Sequence, residues 1–510
     1  MFPLTALDLQ AYFLVILRHC SVQILKPHFL HKILIAVLLL VMHYCTSAQK
    51  NAVENLPTSQ GELNTGDSLA KLHVRKIFIT GNKKTKDYLI LREMELKPGD
   101  SIAAIRLVDA LEKDRQHIYN TTLFVEVVIE PLLLNAYDFD IYITVKERWY
   151  IFPLPELKFI DGNLNKWLVY YKGDLNRVNY GVNFVHYNLT GRKDQLAIHL
   201  LNGYTKTISF NYKAPYSNPA LTNGFSVGGN YLQSREVAYK TSYDNEFLFY
   251  KKNNFVRHGW NINLGYSIRK GIKLSHSFNL GYTHLHVDDS VISANYNKAY
   301  FNTPVSTVGY VDLFYSLKYI DVNNVLYPLK GFSGSISLSK RGLKFSGGIN
   351  SFSIDAQVNR YWSLSKKWYA GTQFRGSIKL PFDQPYINQQ AMGYLGNYVR
   401  GLDYKIIDGV AYAIGKFNLK REILNFNINT IFKKSKTLNK IPFRIYAKTF
   451  ADMGYCYNKK EFASRLNNTF LASTGVGIDI VTLYDLQVRI EYSVNQLGQK
   501  GLFLHNEKGF

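Results

Sequence analysis

The sequence predicts a mainly β protein: a transmembrane antiparallel β-barrel of roughly 16 strands, preceded by one small α+β domain of order β-α-α-β-β. Three observations favour the barrel over a soluble β-sandwich, which would alternate apolar and polar residues in the same way. The alternating segments after Trp149 run for about ten residues, as a tilted membrane strand needs. Aromatic residues, 38 Tyr and 31 Phe, concentrate on the apolar faces and segment ends, as in interfacial girdles. The chain also carries an export signal.

The export signal is HKILIAVLLLVMHYCTSAQ, residues 31–49, which combines basic residues, a short apolar run and small residues near its end. These are the features of a secretory signal peptide, and cleavage is expected after Ala48. Cys45 does not follow a small residue, which disfavours a lipoprotein signal. We therefore expect a presequence at 1–48 and a polar linker at 49–72. No later segment has 18 consecutive apolar residues, so no transmembrane helix is expected.

Composition and cysteine count exclude several classes of function. The formal net charge is +23, but Lys and Arg are scattered, without the basic helix or RNP-like strand of a nucleic-acid-binding protein. Cys456 is the one cysteine after the presequence, which excludes an internal disulfide and a cysteine-based zinc site. The 13 His are dispersed, and no P-loop, nucleophile elbow or paired-carboxylate site appears. We expect no catalytic residue, metal, cofactor or nucleic-acid partner, and no enzymatic activity.

The α+β domain is expected at 73–148. Its expected elements are a strand at 74–80, a helix at 85–95, a second helix after Ser101, and strands at 123–130 and 138–147. Ser101 can cap the second helix. The residues expected on one apolar face of that helix are Ile102, Ile105, Val108, Leu111 and Ile118.

Residues 149–510 are expected to form the barrel, and period-2 alternation carries this prediction. In LQVRIEYSVN, 486–495, the apolar residues Leu486, Val488, Ile490, Tyr492 and Val494 oppose Gln487, Arg489, Glu491, Ser493 and Asn495. Counted back from the terminus, the candidate strands are 501–510, 485–496, 468–481, 441–454 and 410–424. A lipid environment requires every backbone group to be paired, so the sheet must close.

Several motifs resemble one known family. The α+β domain resembles a POTRA domain in VRKIFITGN, LREMELKPGDSI and LFVEVVIEP. In the barrel, YPLKGFSGSISLS, GYLGNYVRGLDY and FADMG resemble motifs of the BamA/TamA superfamily of outer-membrane assembly and translocation proteins. FADMG falls on the fourth strand from the end and the VRGL loop just before the fifth, where the family places both. Phe510 resembles the C-terminal signal of many outer-membrane barrels. Leu402 departs from the pattern, since the family prefers an aromatic residue there.

The resemblance implies a specific contact inside the barrel. Along RIYAKTFADMG the polar residues share one face, so Asp452 is expected to point into the lumen. The loop around 381–409 is long enough to fold inwards and bring Arg400 to Asp452. Spacing alone favours a different interpretation, in which Arg400 is a solvated loop residue and Asp452 an ordinary lumen carboxylate; the resemblance favours the pair. The expected lumen-loop lock consists of Arg400, Gly401, Phe450, Asp452 and Gly454, with the glycines allowing close backbone approach.

The resemblance also implies a function. The protein is expected to assist insertion, assembly or translocation of other proteins at the outer membrane, with its POTRA-like domain in the periplasm. Its expected partners are the outer-membrane bilayer and unfolded β-barrel or secreted client proteins; periplasmic or lipoprotein accessory subunits stay open. The alternatives are a dedicated secretion pore for one partner protein and a passive porin. The barrel is expected to close by pairing its first strand, near 150–160, with 501–510. Two interpretations of this seam stay open: it opens sideways into the lipid, or it is an ordinary closing pair of strands.

Overall fold

The computed structural model describes residues 70–160, 172, 174–343, 349–394, 396–430, 440–459 and 464–505. The predicted signal peptide, most of the predicted linker and Phe510 lie outside the described residues. No helix among the described residues is long and apolar enough to cross a membrane.

The N-terminal domain combines a four-stranded sheet with two helices. Its elements are β1 (Lys71–Thr80), α1 (Asp87–Arg92), β2 (Ser101–Ala103), α2 (Ala104–Tyr119), β3 (Phe124–Leu133) and β4 (Asp138–Glu147). The sheet order is β2-β1-β4-β3, with β1 and β4 parallel and the other pairs antiparallel. The predicted order of elements is confirmed, with the short edge strand β2 added before the second helix.

The second helix buries only part of the predicted face: Leu111 and Ile118 lie in the core as predicted. Ser101 does not cap α2, because it lies in β2. Ile105 and Val108, expected in the core, are 68% and 66% exposed. The buried stripe contains Leu107, Leu111, Asp114 and Ile118, which is the spacing of one helical face. Asp114 interrupts the apolar pattern, and its carboxylate accepts a hydrogen bond from the backbone N–H of Glu95 at 2.6 Å.

Twenty strands follow the N-terminal domain. They are β5 (Ile151–Phe159), β6 (Val178–Tyr187), β7 (Gln195–Gly203), β8 (Thr205–Ala214), β9 (Asn223–Ser234), β10 (Glu236–Thr241), β11 (Phe247–Lys251), β12 (Arg257–Ile268), β13 (Leu274–Val287), β14 (Thr307–Val322), β15 (Gly331–Arg341), β16 (Ser351–Ser363), β17 (Trp368–Leu380), β18 (Gln390–Met392), β19 (Ile407–Asp408), β20 (Ala411–Asn429), β21 (Lys440–Tyr457), β22 (Phe470–Val481), β23 (Gln487–Asn495) and β24 (Lys500–His505). Short 3₁₀ helices lie at Leu175–Arg177, Asp289–Ile292, Tyr386–Asn388 and Leu483–Asp485.

Sixteen of these strands form one antiparallel sheet, so the predicted barrel is confirmed. The sheet runs from β5 to β24 in chain order, leaving out the hairpin β10–β11 and the pair β18–β19. Among the described residues, β5 pairs with β6 and β24 with β23, and no ladder joins β5 to β24. The sheet curls so that distant elements meet inside: the Tyr327 hydroxyl, in the turn after β14, donates to Asp479 of β22 at 2.9 Å.

The barrel is polar inside and apolar outside. On β23 the inward residues Gln487, Arg489, Glu491, Ser493 and Asn495 are at most 5% exposed, and outward Tyr492 is 45% exposed. On β12 the outward residues Trp260, Ile262, Leu264 and Tyr266 are 39–55% exposed. These four positions span about 20 Å along the strand at ~3.3 Å per residue, or about 15 Å along the membrane normal for a strand tilted by about 40°, which fits within the apolar band of a membrane barrel.

Candidate functional site in the barrel lumen

The connection between β17 and β20 folds back into the barrel. Residues Tyr398, Val399, Arg400 and Leu402 near its tip are at most 8% exposed. Gly393 and Gly401 have φ angles of 83° and 84°, which favour glycine and allow the tight turns. Apolar residues of the loop pack against β20 and β22 in a cluster with Tyr412, Ile414 and Leu471. We call residues 381–410 the lumen loop.

Arg400 makes the central contact of the lumen loop. Its backbone N–H and its Nε donate to Asp452 Oδ2 at 3.0 and 2.8 Å, and its Nη2 donates to Oδ1. Asp452 lies on β21, where Tyr446, Lys448 and Phe450 also face the lumen. The side chains of Arg400 and Asp452 are 2% and 0% exposed. The contact is therefore a bidentate, charge-assisted pair that solvent does not reach.

Three further groups fix the direction of the Arg400 guanidinium. The ring of Phe450 lies beneath it, with its centroid 4.0 Å from Cζ, in cation–π geometry. The Nη1 atom donates to Asn418 Oδ1 of β20 at 2.7 Å and lies 3.4 Å from Glu491 Oε1 of β23. Residues of three strands therefore surround a single side chain of the loop.

Gly454 and Gly401 allow the close approach that this contact needs. A Cβ atom on Gly454 would lie 2.9 Å from Val399 Cγ2 and 3.3 Å from Met392 Cε. A Cβ atom on Gly401 would lie 2.9 Å from Ser493 Oγ on β23. The structure thus brings all five residues of the predicted lumen-loop lock together, whereas Phe510 lies outside the described residues. Leu402 is 3% exposed and packs in the apolar cluster with Tyr412.

A larger charged cluster adjoins the lock, and the sequence analysis did not identify it. Lys448 Nζ lies 2.6 Å from both Glu491 Oε1 and Asp479 Oδ1. Lys420 Nζ lies 3.1 Å from Asp479 Oδ2. The sequence did carry a signal for this cluster: charged residues recur on the polar faces of neighbouring strands. Such residues lie close together because side chains on one face meet across a ladder. Among the described residues no group of three or more His, Cys, Asp or Glu could hold a metal ion.

The hairpin β10–β11 covers the lumen loop at the end of the barrel away from the N-terminal domain. Asn245 at its tip is 1% exposed. Its side-chain amide donates to Ile406 O at 2.9 Å, and its backbone carbonyl accepts the Ile406 N–H at 2.8 Å. Its Oδ1 accepts the Leu466 N–H, from the loop after β21, at 3.2 Å. One buried asparagine therefore joins three loops.

The N-terminal domain packs against the turns at the opposite end. Arg269 Nη2, in the β12–β13 turn, donates to Glu93 Oε2 at 2.8 Å, and the Tyr119 hydroxyl donates to Asp485 Oδ2 at 2.7 Å. The side chain of Glu93 is 3% exposed. Its burial raises the pKa, but the hydrogen bonds and charge of Arg269 outweigh that effect and lower the pKa below its ordinary value. The docked position therefore contains buried ionic contacts.

Comparisons with known proteins match both parts of the chain. Residues 72–148 match the POTRA family, described as "Surface antigen variable number repeat". The outer membrane protein assembly factor BamA of Neorickettsia risticii is 27% identical over 215 residues, which are 42% of this chain and 25% of that protein. A putative outer membrane protein assembly factor of Treponema pallidum is 34% identical over 107 residues, 20% of this chain and 12% of that protein. The chain thus matches a quarter or less of the length of either relative.

Two solved structures align with most of this chain at low sequence identity. BamA from Haemophilus ducreyi lacking POTRA domains 1–3 has a TM-score of 0.46 at 16% identity, over 85% of this chain and 83% of that one. CdiB from Escherichia coli has a TM-score of 0.42 at 10% identity, over 95% and 98%. The two curated relatives are described as assembly factors, not as enzymes. The POTRA match and the two sequence relatives support the assignment of this chain to the BamA/TamA family of outer-membrane proteins.

Proposed function

We propose that the protein assists the insertion and assembly of other β-barrel proteins at the outer membrane. The observation that carries the proposal is the Arg400–Asp452 contact, which holds a buried loop against strands β20 to β23 next to the end of the sheet. An ordinary pore needs no such internal support. Its clients would be unfolded β-barrel proteins, and its second partner the bilayer itself.

The geometry of the sheet ends supports a role in templating client strands. Strands β5 and β24 lie at the two ends of the sheet, where their described ladders join them to β6 and β23, and a strand at the end of a sheet is the place where a further strand can add. Pro153 and Pro155 lie in β5 and supply no backbone N–H, so they limit the ladder that can close the barrel. A client strand would then compete with a weak seam. Folding of the client supplies the driving force.

The proposed orientation places the POTRA domain in the periplasm. The domain contacts turns at one end of the barrel, and the lumen loop enters from the other end. A client that arrives from the periplasm would meet the POTRA domain first.

The buried lumen charges favour this function over a passive porin. Side chains that line a water-filled channel contact water, whereas Lys448, Asp479, Arg489 and Glu491 are at most 5% exposed. A secretion pore dedicated to one partner would share the lock and the POTRA domain. It differs in what it moves: one exported chain through the lumen instead of many clients into the bilayer.

The test is the folding rate of a urea-unfolded β-barrel client added to liposomes with and without the purified protein. We expect faster folding with the wild-type protein and a loss of most of that acceleration in Arg400→Ala. Absence of acceleration together with robust single-channel conductance would contradict the proposal and support a secretion pore or porin. Asp321→Ala, which breaks a half-exposed pair with Lys273 in the turns, is the matched control and should accelerate folding as the wild type does.

A further inference from the structure

The lumen loop makes a second contact, with the last strand of the sheet, that the lock does not include. His505 at the end of β24 is 5% exposed. Its Nδ1 lies 2.5 Å from Glu491 Oε2 of β23, and its Nε2 hydrogen-bonds to Asp403 Oδ1 of the lumen loop. The ring of Tyr398 stacks on the imidazole at 5.5 Å between centroids. His505 is thus held by its own neighbour strand and by the loop.

His505 lies between two carboxyl groups, and this arrangement favours one chemical form of its ring. An ionised carboxylate offers only acceptors, so between two ionised carboxylates each ring nitrogen carries a proton, as in the imidazolium form. Asp403 is itself oriented, because its Oδ2 accepts the backbone N–H of Gly401 at 2.7 Å. Glu491 is oriented by Lys448 and lies beside Arg400. The charged groups that face His505 are therefore the two carboxylates, with Lys448 and Arg400 behind Glu491.

The strand that receives this contact lies at one end of the 16-stranded sheet and has a short described ladder. Strand β24 has six residues, and its described ladder joins it to β23 alone. A second contact of the loop lies on the same strand, where the rings of Tyr404 and Phe503 are 5.8 Å apart. Short edge strands open locally at low cost, so side-chain contacts decide how firmly β24 is held.

We propose that His505 and Asp403 form a latch through which the lumen loop positions β24 at the end of the sheet. His505 is a positioning residue: it does not contact a client, but it sets the location of the edge strand. The latch explains why the loop reaches past β23, since the Arg400–Asp452 pair alone would hold the loop to β21. Only the step in which a client uses this edge rests on the proposed function.

The test measures hydrogen exchange of residues 500–505 by mass spectrometry on the full-length protein in nanodiscs. A Gln amide carries its donors on one nitrogen and presents an acceptor oxygen on the other side, so it cannot replace the two separate ring donors of His505. We therefore expect His505→Gln to increase exchange in β24 at least tenfold while β21 keeps its protection. Asp403→Asn should give a similar increase from the loop side. The double variant should exchange no faster than the faster single variant, because both changes break the same contact.

The matched control is His199→Gln. His199 Nε2 lies 2.9 Å from Glu156 Oε2, and this contact joins β7 to β5. The variant therefore removes a comparable contact between strands at a site outside the lumen loop. Exchange of β24 should be unchanged in this variant. Wild-type exchange of β24 in both His505→Gln and Asp403→Asn, or multiplied effects in the double variant, would overturn the latch. Heat-modifiable electrophoretic mobility checks that each barrel is folded.

Client folding with the same variants separates the latch from the proposed function. Faster β24 exchange with unchanged client folding would support the latch and contradict the use of this edge by clients. Unchanged exchange with impaired client folding would overturn the latch and leave the insertion function standing. The two ideas therefore fail independently.

Discussion

Replacement of Arg400 by alanine should release the tip of the lumen loop. The change removes the guanidinium from Asp452, whose side chain is 0% exposed, and leaves one backbone N–H as its remaining partner from the loop. Breaking a buried ion pair costs about 3–5 kcal/mol because a charge stays buried without a partner. Glu491 keeps Lys448 and His505, so the penalty falls mainly on Asp452. We therefore expect the lower half of that range.

The expected penalty converts into an exchange rate. At 1.36 kcal/mol per factor of ten, a loss of about 3–4 kcal/mol makes local opening roughly 10² to 10³ times more frequent. The backbone amide of Leu402, beside Arg400 at the tip, reports this opening, since it donates to Val399 O. Hydrogen exchange of the peptide 396–408 in nanodiscs is the assay.

The outcome that refutes the reasoning is an acceleration of less than tenfold. It would mean that apolar packing around Val399 and Leu402 holds the loop without the ion pair. Asp321→Ala again serves as the control, because the pair with Lys273 is 45% and 30% exposed and such pairs contribute about 0–1 kcal/mol. Exchange of the loop should be unaffected by that control.

Two further predictions follow from the close contacts and from the docked POTRA domain. Gly454→Val should displace the loop without removing a charge, because a Cβ atom there would lie 2.9 Å from Val399 Cγ2. This variant should reduce the acceleration of client folding. Gly334→Ala, where the atom nearest to the new Cβ is 3.5 Å away, should leave the acceleration unchanged. Docking lowers the pKa of Glu93 below its ordinary value of 4.5. The contact between Glu93 and Arg269 therefore stabilises docking fully above pH 4.5. This contribution is lost as the pH falls through the lowered pKa that Glu93 has in the docked state. Spin-label distances between the domain and the turn should lengthen on acidification, and Glu93→Gln should abolish this pH dependence.

The fold was predictable because one signal repeats in every strand. Alternation with a period of two gives both the strands and the inward face of each, and the expected fourth-from-last strand, 441–454, corresponds to β21. Helix α2 was less predictable, because its buried face contains Asp114. An acidic residue is buried there because the backbone N–H of Glu95 supplies a partner, and an apolar pattern cannot anticipate such a partner.

The site was predictable only in part. The motifs identified Arg400 and Asp452, since the loop and the strand carry recognisable neighbours. The contact between the latch residues was not predictable. His505 lies in a segment without a motif, Asp403 lies within GYLGNYVRGLDY beside the arginine that the motif marks, and their contact depends on how deeply the loop enters the barrel. That depth follows from packing at Gly454 and Gly401, which the sequence alone does not give.

Two kinds of contact hold the lumen loop: one anchors its base, and the other determines the position of its tip. Near the outer end, apolar packing and the Asn245 hydrogen bonds anchor its base; apolar packing is non-directional and tolerates small shifts. At the tip, the bidentate pair with Asp452 has a strict geometry, so it determines the position of the tip. Because His505 hydrogen-bonds to the same tip through Asp403, the position of β24 follows from that of Arg400. A change at Arg400 should therefore reach the edge strand even though the two side chains lie on different elements.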